Sequence, residues 1–137
     1  MYVVIEGIDT AGKSTQLDIL QENYPAAIFT KEPGGTPIGK QLRSMVLNGE
    51  AKSKIAEMFL FLADRAEHIE EIINPNKDKM VISDRSMISG VAYASSMPLE
   101  IVITLNLIAT SNTLPSHVIL LELSPEVLKY RLSQKEN

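Results

Sequence analysis

The sequence contains no cysteine, which excludes a disulfide framework and a thiolate zinc site and fits a reducing compartment. It also has no basic excess. Thirteen Lys and Arg stand against 17 Asp and Glu, for a formal net charge of −4. A nucleic-acid binder would usually show a basic face, so that partner class is not expected. A local basic pocket for phosphate is still compatible with an acidic whole. Long apolar runs are missing as well. The chain opens Met1-Tyr2-Val3-Val4-Ile5-Glu6 with no basic n-region, and no stretch is long enough to span a bilayer. Neither a signal peptide nor a membrane helix is expected, and the default expectation is a cytoplasmic protein. Internal repeats and low-complexity linkers are absent too.

What remains is ordinary globular material. The 137 residues are 45% hydrophobic and 22% charged, enough for one domain with a real core. Short apolar runs alternate with helical patterns. Tyr2–Ile5, Ala26–Thr30, Met80–Ser83 and Val118–Leu121 read as strands. Ser14–Asn23, Ile38–Leu47, Lys52–Ile73, Leu99–Ala109 and Pro125–Leu132 read as helices, the last with Ser124 as its N-cap. Lys31–Pro37 carries two prolines and two glycines and reads as a shaped loop. Strand–helix alternation predicts an α/β sandwich with a parallel sheet and right-handed crossovers. In such sheets the site lies beyond the C-terminal ends of the strands.

The turn after the first strand is the most informative segment. Gly7-Ile8-Asp9-Thr10-Ala11-Gly12-Lys13-Ser14 matches G-x-x-x-x-G-K-S between a strand and a helix. Glycines let the backbone approach phosphates, and successive N–H groups with the helix N-terminus form an anion nest. Lys13 is the candidate for the β- and γ-phosphates, and Ser14 for Mg²⁺. A second requirement is an acidic group at a strand end near that metal. Asp84, after Met80–Ser83, supplies it.

The acceptor side is read from arginines and one aromatic. Arg85 follows Asp84, and a guanidinium suits bidentate phosphate contact. A structural Asp84–Arg85 network is the alternative. On the long helix, about 100° per residue places Ile55, Met58, Leu62, Ala66, Ile69 and Ile73 on one apolar stripe. Phe61, Arg65 and His68 fall on its flank. An aromatic and an arginine four residues apart suit stacking and hydrogen bonding to one planar base. Periodicity equally allows Phe61 in the core and Arg65 paired with Asp64 or Glu67. His68 is expected at or near the surface and His117 in a loop. Neither is assigned chemistry, because phosphoryl transfer needs positioning and charge rather than a histidine base.

At this point the sequence resembles the thymidylate kinase family. The segment Glu6–Thr15 is similar to that family's first motif, and Thr30-Lys31-Glu32-Pro33-Gly34-Gly35-Thr36 to its T-R-E-P-G-G-T loop. Leu60–His68 resembles its base-binding helix. Asp84-Arg85 with Ser89-Gly90-Val91-Ala92-Tyr93 resembles its D-R-Y-x-x-S-x-x-A-Y segment, and Leu123–Glu126 its late strand-to-helix turn. The resemblance implies a P-loop NTPase three-layer sandwich with a parallel sheet in the order 2-3-1-4. It implies transfer of the γ-phosphoryl of Mg·ATP to dTMP, giving dTDP for dTTP synthesis. Gly7, Ile8, Asp9, Thr10, Ala11, Gly12, Lys13, Ser14 and Thr15 would hold ATP. Asp9, Glu32, Arg43, Phe61, Arg65, Arg85, Ser89, Gly90 and Tyr93 would hold dTMP, with Asp9 on the 3′-hydroxyl, Phe61 stacked on thymine and Tyr93 disfavouring a 2′-hydroxyl. Lys13, Asp84 and Arg85 would be catalytic, Ser14 and Asp84 would hold Mg²⁺, and a homodimer is implied.

Several features depart from the family pattern. Lys31 stands where arginine is common, Ser86 replaces the usual tyrosine, and Ala94 stands where many bacterial members have glutamine. The sequence leaves the Glu32–Pro33 bond open between cis and trans. The resemblance also leads one to expect a lid bearing arginines, a fifth strand and a last helix beyond these residues. Some members instead carry an arginine at the place of Thr10. The expectation is a single domain, residues 1–137, incomplete at its C-terminal side, binding nucleotide better than it turns it over. The competing readings are another nucleoside or nucleotide kinase, or a non-catalytic nucleotide-binding form.

Overall fold

The computed structural model describes residues 1–135. Its strands are β1 (Tyr2–Gly7), β2 (Ile28–Lys31), β3 (Val81–Asp84) and β4 (His117–Leu121). All pair in parallel, in the order β2-β3-β1-β4. The α-helices are α1 (Lys13–Asn23), α2 (Pro37–Leu47), α3 (Lys54–His68), α4 (Met87–Tyr93), α5 (Leu99–Ala109) and α6 (Pro125–Lys135). The expected fold class and strand order are thus observed.

Alternation along β1 builds the three layers. Tyr2 and Val4 face one side with Val81, where they meet Ile69 and Ile73. Val3 and Ile5 face the other with Ile82, against Leu17 and Leu20 of α1. Each such burial contributes about 1.5–3 kcal/mol, which accounts for the apolar run Tyr2–Ile5 ahead of Glu6. A third cluster, Met58, Leu62 and Val102, ties α3 to α5. Strand β4 lies at the edge, where Val118, Ile119 and Leu120 stand exposed.

Three expectations need correction. The long helix is α3 followed by a π-helical turn, Ile69–Ile73. Its core stripe is narrower than periodicity suggests, since Ile55 and Ala66 are exposed while Asp64, Arg65 and His68 are buried. Polar side chains that satisfy one another can be buried, and hydrophobic periodicity does not see this. Helix α4 was not expected at all. It is short and starts at Ser86, whose Oγ accepts from the Ile88 N–H at 3.1 Å. Helix α6 does begin where its Ser124 cap predicts, with the Val127 N–H donating to Ser124 Oγ at 3.3 Å.

Candidate active site

The cradle is set by the β1–α1 turn. Gly12 takes φ 98°, which a side chain disfavours, and no side chain caps α1 behind it. The first-turn N–H groups of α1, at Lys13, Ser14 and Thr15, therefore face outward, ready for an anion. Two amides of the loop are already engaged: Ala11 N–H donates to the Ile8 carbonyl at 3.1 Å and Thr10 N–H to Asp9 Oδ1 at 3.0 Å. Lys13 folds over this loop, with Nζ donating to the carbonyls of Gly7 at 3.0 Å and Ile8 at 3.2 Å. Burial, and then the Arg85 guanidinium, lower its pKa, while Asp84 acts in the opposite direction. A bound polyphosphate would relieve both penalties. The third ammonium proton of Lys13 is left for that ligand.

Asp84 ends β3 beside Ile5 of β1 and Lys31 of β2. Its Oδ1 is buried without a hydrogen-bond partner. Such an atom is costly unless something arrives to use it. The Ser14 hydroxyl, at the mouth of the cradle, also lacks a protein partner among the described residues. A carboxylate oxygen and a hydroxyl, completed by phosphate oxygens and water, make a donor set that fits Mg²⁺.

The second part of the site is a cavity of about 360 Å³. Phe61 and Arg65 of α3 form one wall, and Arg85, Ser89, Gly90 and Tyr93 another; Glu32 and Arg43 close it. Arg85 takes φ 68° as the chain leaves β3, and its Nη1 donates to Ser89 Oγ at 3.0 Å. Its guanidinium carbon lies 5.7 Å from the Tyr93 ring centroid. Arg43 Nη1 donates to the Pro33 carbonyl at 3.2 Å, beside a cis Glu32–Pro33 bond. Eight of the nine residues assigned to the acceptor nucleotide line this one cavity. Asp9 does not. It is exposed, and its Oδ2 accepts from Lys135 Nζ at 2.6 Å, which lowers its pKa. Asp84 lines a second cleft instead, with Lys31 and Lys40.

Behind the cavity lies a buried polar network. Arg65 donates from Nε to Glu32 Oε2 at 2.8 Å, from Nη1 to Asn106 Oδ1 at 2.6 Å and from Nη2 to the Ser86 carbonyl at 3.3 Å. His68 Nδ1 lies 2.8 Å from Glu32 Oε1, and its Nε2 lies 2.8 Å from Thr30 Oγ1. His68, expected near the surface, is fully buried. A parallel set fixes α4: Glu6, also buried, accepts from the hydroxyls of Ser86 at 2.7 Å and Ser89 at 2.5 Å. The small Ser86 thus has a structural use in place of the tyrosine of the family pattern.

Burial alone would raise the Glu32 pKa. Arg65 and His68 outweigh it, so the carboxyl sits below its ordinary range. A depressed carboxyl contributes stability above its unfolded pKa, about 4.3, and that contribution is lost as pH falls through the folded value. Asp64, raised chiefly by burial, works in the opposite sense. In thermal melts followed from neutral to acidic pH, Glu32→Gln is expected to start lower than the parent and to lose less on the acid side. Parallel curves would show that Glu32 does not carry this linkage.

Four residues in or beside the site were given no role from the sequence. His68 left a trace, three residues from Arg65 on one helix. Asn106 left another, as a polar residue facing inward from the apolar α5. Lys135 and Arg131 are placed only by the fold. Arg131 Nη1 donates to the Thr10 carbonyl at 2.7 Å. A guanidinium therefore stands over the cradle, where sequence reading found none.

The family profile described as "Thymidylate kinase" matches residues 5–137. The chain belongs to the thymidylate kinase family. A thymidylate kinase of Aliarcobacter butzleri is 72% identical over all 137 residues, and one of Wolinella succinogenes is 56% identical over the same span. The chain covers 72% of the length of each. A crystal structure of thymidylate kinase from Ehrlichia chaffeensis matches with a TM-score of 0.80 at 28% identity, over 98% of this chain and 82% of that one. Membership of the thymidylate kinase family, with such relatives, does not favour the reading as a different nucleotide kinase or as a non-catalytic form.

Proposed function

We propose that the cradle of Gly7–Thr15 holds ATP while the cavity walled by Phe61, Arg65 and Arg85 holds dTMP. Transfer of the γ-phosphoryl then proceeds in line between them. ATP-dependent phosphorylation of dTMP to dTDP is the activity of the thymidylate kinase family; what is proposed is how these residues divide the work. The observation that carries the reading is the convergence of Phe61, Arg65 and Arg85 on one cavity, with Arg85 close enough to Lys13 to lower its pKa.

Lys13 and the open N–H groups of α1 bind the donor phosphates. Arg85 grips the acceptor phosphate and holds one of its oxygens toward the γ-phosphorus. That oxygen forms the new P–O bond as the bond to the ADP oxygen breaks. The phosphate's second pKa is about 6, so the attacking group is already deprotonated near neutrality and no histidine base is needed. Ser14 and Asp84 are the residues that would hold Mg²⁺, which would supply charge neutralisation at the phosphates. Phe61 stacks on thymine, Arg65 bonds its edge, and Tyr93 packs beside the deoxyribose. Asp9 reaches the 3′-hydroxyl by leaving Lys135, an exposed pair of small energy.

Arg131 belongs on the donor side of this scheme. Arg131→Ala is expected to raise the KM for ATP about tenfold, the loss of one charge-assisted contact, with the KM for dTMP little changed. Equal rises in both constants would remove Arg131 from the donor site. No helix of the described residues is long and apolar enough to cross a membrane. A single domain, a cytoplasmic location and a homodimer complete the proposal; the exposed Ile55 and Phe59 of α3 offer an apolar face for a second copy. The reading as a whole is tested by ADP release with dTMP, dUMP, AMP, CMP and thymidine as acceptors. Preference for dTMP supports it, and preference for thymidine overturns it.

A further inference from the structure

The Arg65 guanidinium is fixed on every side but one. A guanidinium has five N–H bonds and no acceptor. Three are spent on Glu32, Asn106 and the Ser86 carbonyl, leaving one on each Nη. The acceptors are themselves immobile. Asn106 is buried, and its Nδ2 donates to the Val102 carbonyl at 2.8 Å, so its Oδ1 is the atom that must face Arg65. Glu32 is held from behind by His68, and His68 by Thr30. Helix α4 lies against the guanidinium at Gly90. A Cβ added there would stand 2.6 Å from Nη1 and 2.9 Å from Nη2. The absence of a side chain at position 90 lets Arg65 reach Asn106.

We propose that Asn106, together with Gly90 and the His68-backed Glu32, forms an assembly that sets the base specificity of the acceptor cavity. These are positioning residues: they act through Arg65, holding it as a rigid, donor-only fork. Such a fork accepts a pyrimidine nucleotide with a carbonyl oxygen at ring position 4. It rejects one with an amino group there, because two donors then meet and both go unpaired. A loosely held arginine could swing aside and let water mediate, so selectivity depends on the clamp as well as on the arginine. The inference rests on the reading of Arg65 as the residue at the thymine edge.

The test is calorimetric binding of dTMP, dCMP and an ATP analogue to the 137-residue chain and its variants. Asn106→Leu removes the acceptor at similar volume, Asn106→Asp keeps one, and Gly90→Ala pushes on Arg65 without touching any acceptor. Asn106→Leu and Gly90→Ala are each expected to weaken dTMP about tenfold, the equivalent of one net hydrogen bond. The preference for dTMP over dCMP should narrow by a similar factor, with the ATP analogue unaffected. Asn106→Asp should recover most of the loss, which a purely structural role would not predict. Arg65→Ala separates the two layers of the argument. If it abolishes the preference but Asn106→Leu and Gly90→Ala leave it intact, the positioning role is wrong. If Arg65→Ala itself leaves the preference intact, the thymine-edge reading falls and takes this inference with it. Equal weakening of dTMP, dCMP and the ATP analogue in both clamp variants would also overturn it.

Discussion

Arg65→Ala is expected to lower the stability of the fold by about 3–5 kcal/mol, because it strips the buried Glu32 carboxylate of its guanidinium partner and leaves only His68 against it. Both members of the pair are nearly inaccessible to water, with side-chain exposures of 4% and 2%. Water cannot therefore replace the lost guanidinium. The same change orphans Asn106 Oδ1, another buried acceptor. For a domain of this size the thermal midpoint should fall by on the order of 10 °C or more. The loss would be smaller than expected from the single changes if both charges were removed. A double change of Arg65 and Glu32 to leucine should cost clearly less than the sum of the single changes, because a buried pair barely offsets its own desolvation. Additive losses would show that the two side chains are not coupled. Dependence of dTMP binding on Arg65 is expected in every case, since the two remaining N–H bonds are the ones offered to the cavity.

The second large effect belongs to the donor side. Lys13→Ala is expected to lower kcat by about 10²–10³, the scale for losing one preorganised donor at developing charge. Its ammonium already sits on the cradle before any ligand arrives, held by the Gly7 and Ile8 carbonyls. Stability should change little or rise slightly, because a partly desolvated cation next to Arg85 is lost. A loss of activity that followed a loss of folded protein would contradict this assignment, as would a kcat within a few-fold of the parent.

The contrast between these two residues explains what the sequence made legible. The cradle is a local device: strand, glycine turn and helix N-terminus follow one another, and each residue type has its own physical reason. Lys13, Ser14 and Gly12 could therefore be assigned from spacing alone. Asp84 and Arg85 follow an apolar run that reads as a strand, so their place at a strand's C-terminal end was legible, while its position beside β1 came from the family resemblance. Phe61 and Arg65 were ambiguous until the family resemblance, because periodicity sorts apolar from polar and Arg65 is polar and buried. The network that buries it joins residues up to 41 positions apart, and no local pattern encodes such a partnership. His68 was misplaced for the same reason. Helix α4 escaped notice because seven residues are too few for a helical period to show. Arg131 reaches Thr10 across 121 positions, and only the folding of β4 and α6 onto the cradle brings them together.

The central claim is that one polypeptide holds two nucleotides at once, the donor over Lys13 and the acceptor between Phe61, Arg65 and Arg85. Titrating dTMP into the chain, first alone and then saturated with a non-hydrolysable ATP analogue, addresses it directly. Two independent sites predict one equivalent of dTMP in both titrations, lost in Arg85→Ala but retained in Lys13→Ala. Displacement of the analogue by dTMP, or loss of dTMP binding in Lys13→Ala alone, would mean that there is a single shared site.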